Sequence, residues 1–238
     1  MELFARTRLL IGQEGLDKLA QSKVVVFGAG GVGSYAIEAL ARAGIGCLVL
    51  VDFDLVCESN INRQIEALHS TVGRVKVELM KERIKDINPA AEVIIHEEFV
   101  TKDNVNKFID AAASYIVDAV DNVGAKLAII ETGLSMNIPV ISALGAGNRL
   151  DPTQLRIADI SETSGCSLAR VVRTQLRKKG ITSGVRVVYS LERPSKGFIP
   201  ETSNQRRTIG SISFVPSVAG LFLAAQVVND LTGRERTK

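Results

Sequence analysis

The sequence predicts an α/β fold, a Rossmann-like doubly wound and largely parallel sheet extended at its C-terminal side by mixed strands. Three observations carry this. Residues 23–54 read strand, glycine turn, helix, strand, acid. Short β-branched runs then alternate with helical patterns as far as residue 150. From residue 151 the alternation changes to a mixed pattern that reads as a continuation of the same sheet. One domain over 1–238 is expected, with an arm and helix at 1–22, a nucleotide-binding core at 23–150 and the extension at 151–238.

Residues 13–21 predict a short amphipathic helix ahead of the first strand. Lys23–Phe27 is the apolar run of a buried parallel strand. It breaks at Gly28-Ala29-Gly30-Gly31-Val32-Gly33, and a helix follows over Ser34–Ala43, stopped by Gly44 and Gly46. A second strand, Cys47–Val51, ends in Asp52. In such a unit Gly28 serves the tight turn, Gly30 brings backbone N–H groups to phosphate oxygens, and Gly33 lets helix and sheet approach. Asp52 lies 19 residues past Gly33, close to the spacing of a ribose ligand. The unit binds a nucleotide without saying which one.

A polar loop spans Asp54 to Glu66, and a helix is expected over Gly73–Ile87, stopped by Asn88-Pro89. Glu92–His96 reads as a strand, and Thr101 as the cap of a helix over Asp103–Ala112. Strand Tyr115–Val120, helix Ala125–Met136 and strand Pro139–Leu144 complete the core. Beyond Asp151-Pro152 the pattern reads strand 155–160, helix 167–179, strand 185–192, polar loop 193–209, strand 211–215 and helix 217–231. The uncharged stretch Ser211–Asn229 is interrupted by Pro216, Gly220 and Gln226, which makes it a buried helix rather than a membrane span.

At 46% apolar residues the chain can bury a sizeable core, mostly aliphatic because Trp is absent and aromatics are only 5%. A net charge of +3 suits an anionic substrate but is far from that of a nucleic-acid coat protein. Cys47, Cys57 and Cys166 are scattered, with no CxxC pair. That argues for a reducing, cytoplasmic compartment and against a cysteine-built zinc site. The N-terminus lacks the apolar run of a signal peptide.

Right-handed crossovers bring the loops carrying Gly30, Asp52, Asn60 and Asp121 to one sheet edge. An oxidoreductase would not require the polar set gathered there. Two cations, Arg63 and Lys76, and an amide, Asn60, beside a phosphate turn would neutralise a triphosphate. Asp121 at a strand end could hold magnesium, which favours carboxylate and phosphate oxygens. Taken singly, each residue has a structural reading: Asn60 a cap, Arg63 a surface ion pair, Lys76 a solvated residue, Asp121 a helix cap. Together they favour ATP over NAD.

GAGGVG, LVDFDLVCESNINRQ, TVGRVKVELMKERIKDINP and DAVDN, in this order and spacing, resemble the ThiF/MoeB/HesA superfamily of ubiquitin-activating-enzyme-like proteins. Its members adenylate a carboxylate with Mg-ATP. The resemblance implies that Gly28, Gly30, Gly31, Gly33, Asp52, Asp54, Asn60, Arg63, Lys76, Asp121 and Asn122 bind the nucleotide. It assigns Arg63, Lys76 and Asp121 to catalysis, with Asp121 holding Mg2+. It also implies a homodimer in which Arg6, or failing that Arg8, reaches the partner subunit's ATP as an arginine finger. A carboxylate nucleophile needs no general base, which fits a chain whose only histidines are His69 and His96.

The C-terminal third is similar to the branch that dehydrates threonylcarbamoyladenosine in tRNA beside the anticodon. The alternative is activation of the C-terminus of a sulfur-carrier or ubiquitin-like protein. The absence of CxxC, and of any cysteine in 193–209, disfavours it. A cysteine desulfurase or sulfur-acceptor system is a further partner that the resemblance admits. A tRNA substrate needs a basic surface, and Arg170, Arg173 and Arg177 share one expected helix face. Arg206, Arg207, Arg234, Arg236 and Lys238 add charge later. Cys166, near a helix start, reads either as a nucleophile or as a small apolar residue, and is left out of the catalytic set.

Overall fold

The computed structural model describes residues 3–195 and 209–234. The first unit is strand β1 (Lys23–Phe27), helix α2 (Gly33–Ala43) and strand β2 (Cys47–Val51), preceded by helix α1 (Ala5–Gln21). Then follow α3 (Lys76–Ile87), β3 (Glu92–His96), β4 (Tyr115–Asp118), α4 (Val123–Ser135) and β5 (Val140–Ala143). The chain ends with β6 (Leu155–Asp159), α5 (Ser167–Lys178), β7 (Arg186–Ser190) and α6 (Phe214–Thr232). The strands form one seven-stranded sheet in the order β3-β2-β1-β4-β5-β7-β6. All neighbours pair parallel except β6, which runs antiparallel to β7. The α/β expectation holds, including the mixed C-terminal strands.

Alternating residues of the central strands enter two different cores, which explains why those strands are apolar on both faces. Val24, Val26, Leu48 and Leu50 pack with Ile37 and Leu40 of α2, Met80 of α3 and Leu223 of α6. Val25, Phe27, Val49 and Val51 lie on the opposite face, in the core that holds Ile129 and Ile130 of α4 and Val172 and Leu176 of α5. Register aligns Phe27 with Val51 and with Asp118, so the C-terminal ends of β2, β1 and β4 share one edge. The glycine turn is fixed sterically. Gly28 has φ 89°, and a Cβ at Gly33 would lie 1.8 Å from the Gly28 carbonyl oxygen.

Several boundaries differ from the sequence expectation, each for a local reason. Helix α1 begins at Ala5, so the arm residues Ala5 to Arg8 are already helical, and Gly12 (φ 72°, ψ 175°) breaks the helix. Helix α3 starts at Lys76 because Val75 is used in an antiparallel bridge to Leu55. Only a 3-10 turn over Val105–Lys107 forms where a helix was expected over 103–112. There Asn104 accepts from the Thr101 N–H at 2.7 Å and donates to the Phe99 carbonyl at 2.9 Å, diverting the backbone from helix. The expected strand at 211–215 is absent. Helix α6 already runs from Phe214, with Pro216 in its first turn, where no N–H is needed. This helix is long and apolar enough to cross a membrane. Ala219, Leu223, Ala224 and Val227 are nonetheless buried against the sheet and α2.

The ends of β4 and β5 are joined by a buried ion pair. Lys126 of α4 and Asp118 of β4 are both 0% exposed and lie 2.7 Å apart. Lys126 Nζ also donates to Ser142 Oγ at 3.2 Å and to the Ala143 carbonyl at 3.0 Å. Its three N–H groups thus have three acceptors, the condition under which a buried ammonium is tolerated.

Candidate functional site

The chain leaves β1 toward β2 and β3, then returns across it to β4. Loops after β1 and β4 therefore diverge and open a crevice at the carboxyl edge of the sheet. A cleft of about 590 Å³ lies there, within the range of ligand sites. Among its lining residues are Gly28, Gly30, Gly31, Asp52, Asp54, Asn60, Arg63, Lys76, Asp121 and Asn122. Gly33 does not line the cleft; it opens α2 behind the turn.

Asp52 caps the end of β2 and reaches back to the glycine turn. Its Oδ2 accepts from the Ala29 N–H at 2.6 Å and its Oδ1 from the Asp54 N–H at 2.8 Å. Burial pushes its carboxyl up, against those two donors. The bond to Ala29 fixes the turn to the neighbouring strand. Further lone pairs on both oxygens remain for a ligand hydroxyl.

Lys76, at the start of α3, is only 3% exposed, and its Nζ lies 2.7 Å from Asp54 Oδ2. Asp54 thus spends one oxygen on orienting Lys76. Arg63 lies across the turn: a Cβ at Gly31 would meet its Cγ at 3.2 Å, so a side chain there would displace the arginine stem. Its Nη1 donates to the Ser59 carbonyl at 2.7 Å and to Asn62 Oδ1 at 2.9 Å, which holds an otherwise exposed guanidinium in place. Asn60 Oδ1 accepts from the Cys57 N–H at 3.0 Å, so this amide both caps its turn and lines the cleft.

Asn122, not Asp121, caps α4, accepting from the Ala125 N–H at 3.0 Å. This removes the capping role considered for Asp121. Asp121 is exposed in the cleft, and no partner of its carboxylate is found among the described residues. A carboxylate at a strand end beside a phosphate turn matches magnesium's preference for one or two carboxylates plus phosphate oxygens.

Arg6 and Arg8 sit on α1, both exposed, and neither lines the cleft of its own chain. Arg170 and Arg177 are exposed on α5. Arg173 between them is turned inward, its Nη1 donating to the Thr163 carbonyl at 2.7 Å and to Thr163 Oγ1. It braces the loop before α5 and is a poorer candidate for an RNA contact than its neighbours. Arg234 donates to the Leu10 carbonyl. Arg206, Arg207, Arg236 and Lys238 lie outside the described residues. Cys166 is buried and immediately precedes α5.

Four residues escaped the sequence reading. Phe53 and Phe99 meet edge to face, 5.0 Å between centroids, and flank the cleft beside Asp52. Phe53 stands between two acids in a loop, where an aromatic with no core to enter is a sign of a ligand surface. Arg149 lines the cleft from the loop after β5. Glu66 is 4% exposed, and neither carboxylate oxygen has a hydrogen-bond partner. Burial pushes its carboxyl up to about 7, and the negative Asp52 adds to that shift while Lys76 opposes it.

Comparison with known proteins places this geometry. The model of the ThiF family matches residues 4–238. A tRNA threonylcarbamoyladenosine dehydratase of Bacillus subtilis is 48% identical, covering 96% of this chain and 94% of that one. The Escherichia coli protein of the same name is 42% identical over 79% of this chain and 73% of its own. The crystal structure of the E. coli dehydratase TcdA in complex with ATP superposes with a TM-score of 0.88 at 36% identity, covering 97% of this chain and 93% of that one.

Glu66 provides a pH test of the site's surroundings. Its native pKa is raised from 4.5 to about 7, so the folded state binds the proton more tightly than the unfolded chain. Its contribution to stability is whole below pH 4.5 and is lost as pH rises through about 7. Glu66→Gln, which cannot ionise, is expected to gain stability over wild type by up to about 3 kcal/mol at pH 8.5, and far less at pH 5. Denaturant unfolding at the two pH values measures this. Parallel pH profiles for the two proteins would rule it out.

Proposed function

The chain belongs to the ThiF family, and on that premise we propose that it is an ATP-dependent tRNA threonylcarbamoyladenosine dehydratase. It adenylates the threonyl carboxylate of the modified adenosine beside the anticodon, and the neighbouring carbamoyl group then displaces AMP. The observation that carries this reading is the near end-to-end likeness to dehydratases of that name. A cleft whose ribose acid and paired cations surround a glycine turn supports it.

Asp52 accepts from the ribose hydroxyls with the lone pairs that Ala29 and Asp54 leave free. Phe53 and Phe99 offer an apolar surface to the base. Backbone N–H groups of the turn, at the N-terminus of α2, face the phosphates. Arg63 and Lys76 stabilise the charge that develops on the phosphoryl oxygens, each held beforehand by Ser59, Asn62 or Asp54. Asp121 would hold magnesium, which when bound neutralises charge on the phosphates. One oxygen of the threonyl carboxylate attacks the α-phosphorus, the bond to the bridging oxygen breaks, and pyrophosphate leaves. The carbamoyl group then attacks the acyl carbon, the C–O bond breaks, AMP departs with the former carboxylate oxygen, and the carbamoyl N–H proton is released to the leaving phosphate or to water. A ring closes with net loss of water. The chain provides positioning and electrostatics, and the first step needs no base. No sulfur enters, so a desulfurase or sulfur-acceptor partner is not needed for it.

Arg6 would act in trans within a homodimer. Its exposure, and its absence from the cleft lining of its own chain, support that role. So do Leu9 and Leu10 of the same helix, 85% and 70% exposed, an apolar surface that a second copy would cover. Arg170 and Arg177 would meet tRNA phosphates. Three unpaired cysteines fit a cytoplasmic enzyme.

Incubation with threonylcarbamoyladenosine-bearing tRNA and Mg-ATP, followed by nucleoside mass analysis, is expected to give a product lighter by one water. An unchanged nucleoside, with pyrophosphate exchange appearing only on addition of a carrier protein, would transfer the assignment to protein activation. The trans finger is tested by mixing. Arg6→Ala and Asp121→Asn are each expected to be nearly inactive, and their re-associated mixture to regain about a quarter of wild-type activity, since half the dimers then hold one intact site. No recovery on mixing would place Arg6 in its own chain's site or in none.

A further inference from the structure

Arg149 is 3% exposed and lines the same cleft, yet no acid among the described residues answers it. Its Nη1 donates to the Gly147 carbonyl at 3.2 Å, its Nε has no partner, and it forms no ion pair among the described residues. An uncompensated guanidinium out of water is costly, and such a group is retained where a ligand supplies the missing charge. Of the four acids lining the cleft, Asp52 is engaged by backbone N–H groups, Asp54 by Lys76 and Glu98 by Lys107. Asp121 belongs to the loop after β4 and forms neither an ion pair nor a hydrogen bond with Arg149.

The loop that carries Arg149 is built to hold it still. Glu192 accepts from the Leu150 N–H at 3.0 Å and from the Asp151 N–H at 2.9 Å. Asn148, at φ 56°, exchanges two bonds with Gly210: its N–H donates to the Gly210 carbonyl at 2.8 Å and its Oδ1 accepts from the Gly210 N–H at 2.6 Å. The arginine is therefore positioned before any ligand arrives, which lowers the entropy cost of binding.

Place in the sheet says which anion it meets. The loop after β5 lies two strands from the glycine turn and three from Asp52, on the far side of β4. At ordinary strand spacing that is about 10 Å from the turn and about 14 Å from the ribose acid. The cations that address the phosphates, Arg63 over Gly31 and Lys76 beside Asp54, are on the other side. Arg149 thus faces the part of the crevice that a nucleotide seated on β1 and β2 leaves open, where the acid to be adenylated must enter.

We infer that Arg149 is the docking residue for the acceptor's carboxylate, an inference that rests on the function proposed above. The Nε edge of the guanidinium takes the carboxylate side-on. Each docked oxygen keeps lone pairs, so one remains to attack the α-phosphorus. Arginine rather than lysine suits this role, because its planar fork sets direction as well as charge.

The test uses the full chain with two probes, the nucleoside threonylcarbamoyladenosine and its methyl ester, with a non-hydrolysable ATP analogue bound and magnesium present. Wild type is expected to bind the free acid at least about tenfold more tightly than the ester. Arg149→Gln should bring that ratio near one while the affinity for the ATP analogue stays within about twofold. Arg149→Lys should keep part of the preference, and it serves if the glutamine variant does not fold. An unchanged acid-to-ester ratio in a folded Arg149→Gln protein, or a lysine variant as selective as wild type, would overturn the inference. A loss of nucleotide affinity of tenfold or more would also overturn it, by assigning Arg149 to the phosphates. The tRNA mass assay on wild type, run alongside, separates these outcomes from failure of the dehydratase reading itself: tRNA that loses water while Arg149→Gln keeps the preference sinks only the role of Arg149.

Discussion

Everything at the carboxyl edge of the sheet depends on the buried pair of Asp118 and Lys126. Both lie wholly out of water, where an unpaired charge is costly. What makes the arrangement tolerable is completeness. Lys126 finds Asp118, Ser142 and Ala143, and Ser142 Oγ donates to Asp118 Oδ2 at 2.5 Å. Such a pair adds little net stability over a well-packed apolar one, but losing either partner strands a buried charge, at a cost of roughly 3–5 kcal/mol. Its effect is positional. It ties α4, β4 and β5 just beneath two diverging loops, one bearing Asp121 and the other Arg149. The Asp52 bond to Ala29 does the same for the loops after β1 and β2, so the loops around the crevice are fixed in two pairs.

The cleft is electrostatically asymmetric in a way that suits joining two anions. On the β1 and β2 side, Arg63 and Lys76 are each held by neutral or acidic neighbours, and both line the cleft. On the β5 side a single guanidinium is held by backbone alone. A nucleotide and a carboxylate repel one another in water. In the function proposed, separate cationic seats, fixed before either ligand arrives, would hold them within reaction distance without reorganisation. That is the physical content of an adenylating site that works without a protein base.

Much of this was legible in the residues. β1, β2 and β3 matched residue for residue: β1 and β2 are apolar runs buried on both faces, and β3, a partly exposed edge strand, is bounded by its polar Glu92 and His96. Gly28 and Gly33 could be placed because each answers a local steric demand of the turn, and Asp52 because it ends β2 at the spacing of a ribose ligand. Segments whose fate depends on remote partners were not legible. Ser211–Val215 alternates like a strand, yet it feeds α6. Residues 103–112 have a helical pattern that the Asn104 side chain undoes. Arg173 shares a helix face with Arg170 and Arg177 but folds back onto Thr163, a contact no periodicity reveals. Arg149 was invisible because burial without a partner is a property of the folded chain alone.

The most direct measurement follows an oxygen atom. With 18O in both positions of the threonyl carboxylate of the tRNA substrate, one turnover is expected to leave a single 18O atom in AMP and none in pyrophosphate. Label in orthophosphate with ADP as the nucleotide product, or AMP carrying no label, would contradict an acid group capped with AMP in this cleft.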